Sequence, residues 1–216
     1  MDNSWKTFED QISQVAENYF HDLFTSENPI DMESVLDVVE KRFTTKMNNS
    51  LLQPYTVEEV RHALFQIHPS KSPGPNGMSH FFFQKFWNIV GVDVTEAIFS
   101  VLNSGHMLRK TNHSHIVLIP KKNDPSLMTD YRPINLANVV SRILSKVIAN
   151  RLKLLLPNVI LDTQSAFVPN RLITDNTTVA YELLYRMRNK RRAKVGQMAV
   201  KLDISKAYDQ VKWGFL

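Results

Sequence analysis

Apolar residues recur along most of this chain at helical spacing. Phe8, Ile12, Val15, Tyr19 and Leu23 stand three or four apart, predicting an amphipathic helix over the first 25 residues that Asn28-Pro29 breaks. Val35, Leu36, Val38 and Val39 suggest a shorter helix over 33–42. Thr56-Val57-Glu58-Glu59 has the form of a capping box, opening a helix that turns Val57, Val60, Leu64 and Ile67 inward. Residues 69–77 hold three prolines and two glycines and predict a stiff exposed loop. An aromatic helix with Phe82, Phe83, Phe86, Trp87 and Val90 should follow and end at Gly91; another, from about Val94 to Leu102, should stop at Gly105. The pattern then changes. His115-Ile116-Val117-Leu118-Ile119-Pro120 reads as a strand, and Tyr131-Arg132-Pro133-Ile134 as an extended segment that could pair with it in a hairpin with a basic tip. The clearest helix spans about Val139–Leu156, with Val140, Ile143, Leu144, Val147, Ile148, Leu152 and Leu155 on one face and Pro157 closing it. A loop at 164–171 precedes a helix from about Asp175 to Arg188, with Thr174 as its cap. Met198–Asp203 reads as a strand, with a turn at Ser205-Lys206.

Charge refines this picture. The 216 residues carry 26 Lys and Arg against 21 Asp and Glu, but unevenly: residues 1–60 hold 4 basic and 12 acidic residues, residues 61–216 hold 22 and 9. An acidic leader before a basic body suggests a polyanionic partner, although a solvated basic surface would look the same. With no cysteine, disulfides, thiolate metal sites and thiol nucleophiles are excluded. No apolar run is long enough for a membrane span, and Met1-Asp2-Asn3-Ser4-Trp5 lacks the layout of a signal peptide, so an intracellular protein with no membrane partner is expected, nucleus and cytoplasm being indistinguishable.

Candidate chemistry is sparse. Asp203 ends an apolar strand, where a carboxylate can be held toward a metal or phosphate; it could equally cap a short helix over 205–212. Magnesium in phosphoryl transfer needs more than one carboxylate, and Asp209 lies past a turn. His113 and His115 would share a strand face, without a third ligand. The 69–77 loop lacks the spacing of a phosphate-cradling glycine loop. The residues by themselves lead to a basic α and β protein with a nucleic-acid partner.

Four segments, in order, resemble a known family. Lys71-Ser72-Pro73-Gly74-Pro75-Asn76-Gly77 resembles the S-P-G-P-D-G loop of LINE-type (non-LTR) retrotransposon reverse transcriptases, plant ones especially, with Asn76 where the family usually has Asp. Ile119-Pro120-Lys121-Lys122 followed by Asp130-Tyr131-Arg132-Pro133-Ile134 is similar to their fingers hairpin. Gln164-Ser165-Ala166-Phe167 with Arg171 and Thr174-Asp175-Asn176 is similar to the next block, and Lys201-Leu202-Asp203-Ile204-Ser205-Lys206-Ala207-Tyr208-Asp209 resembles the first palm motif. The resemblance implies an α+β fold: a helical leader over 1–54, then fingers and an incomplete palm over 55–216. It implies an RNA-directed DNA polymerase that uses an RNA template, a DNA primer, deoxynucleoside triphosphates and Mg2+. Asp203 would ligate the catalytic ions, helped by the Ile204 carbonyl. Lys121 and Arg132 would grip the triphosphate, and Tyr208 would gate the sugar unless it is a core tyrosine; Gln164 and Arg171 would lie near template or primer. No x-D-D sequence of the later palm block occurs, so the expectation is a fragment, with a catalytically inactive nucleic-acid-binding remnant as the alternative.

Overall fold

The computed structural model describes residues 8–25, 32–38, 40–165, 168–189, 198–203 and 211. They fall into two compact units. One comprises residues 42–121 and 131–180; the other comprises the described residues up to 41, the turn 122–130, and those from 181 onward.

In the first unit, α3 (Thr45–Leu51) and α4 (Val57–Phe65) precede the proline–glycine loop, and α5 (His80–Lys85), α6 (Trp87–Ser104) and α7 (Arg109–Asn112) follow it. Strands β1 (Ser114–Pro120) and β2 (Tyr131–Ala137) lead into α8 (Val139–Val159), and α9 (Ile173–Asn189) begins after the 160–172 loop. The core is helical. Val60, Ala63 and Leu64 of α4, Phe83 of α5, Val94 and Ile98 of α6, and Val139, Ile143 and Val147 of α8 are buried together. Each fully buried aliphatic chain contributes on the order of 1.5–3 kcal/mol, so these helices anchor the unit.

The capping box forms: the Glu59 amide donates to Thr56 Oγ1 at 3.3 Å and the Thr56 amide to Glu59 Oε2 at 2.8 Å. At the other end of α4, Gln84 Nε2 donates to the carbonyls of Leu64 and Ile67, satisfying acceptors that a helix end leaves open. The helix α3 escaped the periodicity reading because it is short and polar; Thr44 starts it by accepting from the Met47 amide.

Two punctuation marks act differently from expectation, and a third acts as predicted. Gly91 does not end a helix. It is buried inside α6, where a Cβ would lie 2.8 Å from the Trp87 ring, so it is a notch for an indole. The actual break is at Phe86 (φ −103°, ψ 21°), between α5 and α6. Pro157 lies within α8, which continues to Val159; in a last turn a proline removes only one backbone donor. Gly105 does terminate α6, in the left-handed conformation (φ 71°), with its amide on the Val101 carbonyl. On α8, Ile148 and Leu152 are exposed although they share the apolar face.

In the second unit, α1 (Glu9–Phe24) forms as predicted but buries no residue, and α2 is reduced to Met32–Leu36. Residues 198–203 are described without strand structure. A strand needs a neighbouring ladder for its amides and carbonyls, and among the described residues only β1 and β2 pair. The break at Asn28-Pro29 and the turn at Ser205-Lys206 lie outside the described residues. No described helix is long and apolar enough to cross a membrane.

Candidate nucleotide and nucleic-acid interface

The hairpin is antiparallel, with Ser114 opposite Ala137, Val117 opposite Ile134, Ile119 opposite Arg132 and Pro120 opposite Tyr131. Cross-strand partners share a face, so His115, Val117, Ile119, Arg132, Ile134 and Leu136 line one side. Val117, Ile119 and Ile134 are exposed there. Arg132 is the second residue of β2 and Lys121 directly follows β1, so both cations stand at the turn end. Both are exposed, and the Arg132 guanidinium has no carboxylate partner among the described residues.

The turn between the strands has its own organiser. Asp130 Oδ2 accepts from the amides of Ser126 and Leu127, both at 3.0 Å, and from Lys122 Nζ at 2.9 Å. The Lys122 ammonium, then the two amides, hold the Asp130 carboxyl down at about 2. This carboxylate stands in the hairpin motif without an assigned role; it is the last residue of a short 3-10 turn, Met128–Asp130. Two adjacent lysines thus differ: Lys122 folds the turn, while the family pattern selects Lys121.

The far end of the hairpin is tied to the proline–glycine loop through Asn138, which starts α8 and is buried. Its Oδ1 accepts from the Asn76 amide at 3.2 Å, and its Nδ2 donates toward the carbonyls of Lys110 (3.3 Å), Thr111 (3.1 Å) and His113 (3.2 Å). Gly74 presses on the same point: a Cβ would lie 2.5 Å from the Asn138 nitrogen and 2.6 Å from the Ala137 carbonyl carbon, both backbone. Arg142 of α8 donates to the Ser72 carbonyl at 2.8 Å. Gly77 closes a turn onto Gly74 with φ 71°, a conformation that glycine adopts without strain. The loop is therefore docked on the base of the hairpin and the start of α8. Sequence reading missed Asn138 because an isolated polar residue between a strand and a helix carries no pattern.

His80, at the start of α5, is buried with neither ring nitrogen hydrogen-bonded. Burial pushes its pKa down, and so does the charge of Arg142; the Lys71 backbone acts in the opposite direction, and the Lys71 charge adds a last lowering contribution. His113 caps α7, and its ring meets that of His115 edge-on at 5.7 Å.

Arg171 is bonded to residues within the described stretch 161–164. Its guanidinium donates to the carbonyls of Leu161 and Gln164 and to Asp162 Oδ1. Gln164 thus meets Arg171 through its backbone. The helix after this loop begins at Ile173, and Asp175, not Thr174, provides the cap by accepting from the Leu172 amide at 3.2 Å. Asp203 is exposed, and Ile204 and Tyr208 lie outside the described residues. No three His, Asp or Glu side chains gather as a metal site among the described residues. Asp203 would supply one of the several carboxylate ligands that a two-ion centre takes, and no such cluster gathers around it among the described residues.

Residues 119–216 match the reverse transcriptase (RNA-dependent DNA polymerase) family. That match begins one residue before the end of β1 and takes in β2, α8, α9 and Asp203. The chain is 31% identical over 211 residues to the transposon TX1 uncharacterized 149 kDa protein of Xenopus laevis, covering 95% of this chain and 16% of that protein. It is 27% identical over 164 residues to the retrovirus-related Pol polyprotein from the type-1 retrotransposable element R2 of Nasonia vitripennis, covering 76% of this chain and 15% of that protein. Residues 119–216 thus carry sequence of the reverse transcriptase class. Within that class, the chain carries reverse transcriptase sequence of the LINE-type (non-LTR) retrotransposons. It spans about one sixth of the length of these relatives, and membership of the family brings an expectation of a divalent metal and of nucleic acid.

Proposed function

We propose that residues 55–216 form the fingers and first palm segment of an RNA-directed DNA polymerase, with 1–54 leading into it. The turn end of the β1–β2 hairpin would meet the triphosphate of an incoming deoxynucleotide. The observation that carries this reading is the hairpin register, which supports Arg132 as an exposed guanidinium beside Lys121. A planar guanidinium binds phosphate oxygens in pairs, and a lysine adds a point charge. Gln164 and Arg171 belong to the template side by the family pattern; the Arg171 bonds support a role in shaping that loop. Asp203 would be one of the metal carboxylates and Ile204 a carbonyl ligand, with Tyr208 at the sugar. Magnesium is the ion proposed, since a hard cation suits oxygen ligands.

The excess of basic over acidic residues after residue 60 favours a second reading for these residues taken alone: they hold the backbones of RNA template and DNA primer without catalysis. Primer extension on an RNA template with magnesium separates the two. Extension that disappears in Asp203→Ala supports the polymerase, whereas salt-dependent binding without extension supports the binding protein. For the hairpin, photo-crosslinking of an azido-deoxynucleoside triphosphate should fall about tenfold or more in the Lys121→Ala/Arg132→Ala variant, on the scale of two charge-assisted phosphate contacts. Undiminished labelling refutes the hairpin role.

A further inference from the structure

From Val60 to Val92 the chain contains no Asp or Glu, while Arg61, Lys71 and Lys85 fall in that interval. Inside it, α5 turns one side to solvent. Phe81 is 56% exposed and Phe86 38% exposed. Between them stands Lys85, its Nζ 5.6 Å from the centroid of the Phe81 ring and 5.7 Å from that of Phe86. Lys85 forms no ion pair among the described residues. The buried side of the same helix is filled by His80 and Phe83, and Gln84 fixes it to α4 through Leu64 and Ile67. The two exposed rings are therefore held on a rigid support.

We propose that Phe81, Lys85 and Phe86 form a platform for unpaired bases of single-stranded nucleic acid, separate from the hairpin. The rings supply π faces on which any base can stack, and stacking is tolerant of sequence. The ammonium between them supplies the charge for the phosphate that links two stacked bases, and the carboxylate-free stretch around it leaves that attraction unopposed. An exposed apolar patch would also suit a protein partner, but such a patch gains nothing from a cation seated between its rings. Asp93 and Glu96 lie further along α6 and set the limit of the platform in that direction.

The test is fluorescence anisotropy of the whole chain with labelled 20-mers of dT and rU, against a duplex of equal length, over a salt series. Phe81→Leu/Phe86→Leu keeps apolar volume and removes the aromatic faces. It should weaken single-strand binding by about fivefold or more, with the salt slope and duplex binding unchanged. Lys85→Gln should lower the slope of log K against log salt by about 0.7. Far-UV circular dichroism and melting of each variant, expected to match the parent, exclude misfolding as the cause. Parental affinity in the leucine variant, or equal losses for single strand and duplex, overturns the platform. So does self-association of the parent that the leucine variant abolishes with no change in nucleic-acid binding. Lys121→Ala/Arg132→Ala is run alongside. Reduced azido-deoxynucleotide crosslinking there, with parental single-strand affinity in the leucine variant, refutes the platform and leaves the hairpin reading intact; weakened single-strand binding in the leucine variant with undiminished crosslinking in the hairpin variant refutes only the hairpin.

Discussion

Replacing Asn138 should separate two ways in which a buried amide holds a loop. Its single acceptor and two amide hydrogens serve one backbone amide and three carbonyls, so the hydrogens are shared. In Asn138→Ala the Thr111 carbonyl keeps the Ser141 hydroxyl at 2.8 Å, while the Asn76 amide and the carbonyls of Lys110 and His113 lose this partner. Three net hydrogen bonds at about 1 kcal/mol each give a loss of roughly 2–4 kcal/mol. With a urea dependence of about 2 kcal/mol per molar, the unfolding midpoint should fall by about 1–2 M. Asn138→Asp has the same shape but should cost more. It keeps the acceptor for Asn76, loses both donors and turns an oxygen toward three carbonyl oxygens in a buried position. That carboxyl would have a raised pKa, so the Asp variant, unlike the Ala variant, should recover stability as pH falls through it. Urea titration followed by circular dichroism at neutral and mildly acidic pH measures both. An Asp variant as stable as the parent, or more stable than the Ala variant at neutral pH, would show that the three donor contacts do not hold the loop.

Gly74→Ala drives a Cβ into the backbone of Ala137 and Asn138; a loss of about 1–3 kcal/mol and faster proteolysis of the 69–77 loop are expected, and unchanged proteolysis refutes the docking. Glu59 has its pKa lowered chiefly by the hydrogen bond from Arg151, whose guanidinium also reaches the carbonyls of Leu51, Gln53 and Pro54 and stacks on Tyr55. The stabilisation from Glu59 is therefore full above its unfolded value near 4.5 and lost as pH falls through the lower folded value; Glu59→Gln should flatten stability over that window in acid denaturation. His80 is likewise depressed: its neutral form fits the fold, so stability is full above the unfolded value near 6.5 and declines as pH falls from there. A nonpolar His80→Phe variant should lack that decline, and an identical pH profile would remove His80 as its source.

Local chemistry was readable wherever neighbours in the chain decide the outcome. The Thr56–Glu59 box, the left-handed stop at Gly105 and the extended Tyr131–Ile134 segment each depend on a few adjacent residues, and each formed. The motif residues at the hairpin were also legible, since their order carries the family resemblance. Gly91 and Pro157 misled because their effect depends on context: an indole four residues back in one case, a position in the final turn in the other.

What the amino-acid order determined by itself is the helix-rich body, the hairpin, the basic bias after residue 60 and the reverse transcriptase kinship. Only the tertiary structure decided the rest. It placed Asn138 under the proline–glycine loop, brought Arg151 onto a capping box more than ninety residues away, and assigned Lys122 and Asp130 to the turn. Such contacts join groups far apart in the chain or matched only in three dimensions. A polar side chain buried by its neighbours must find partners where the fold brings them, and no local pattern records where that is.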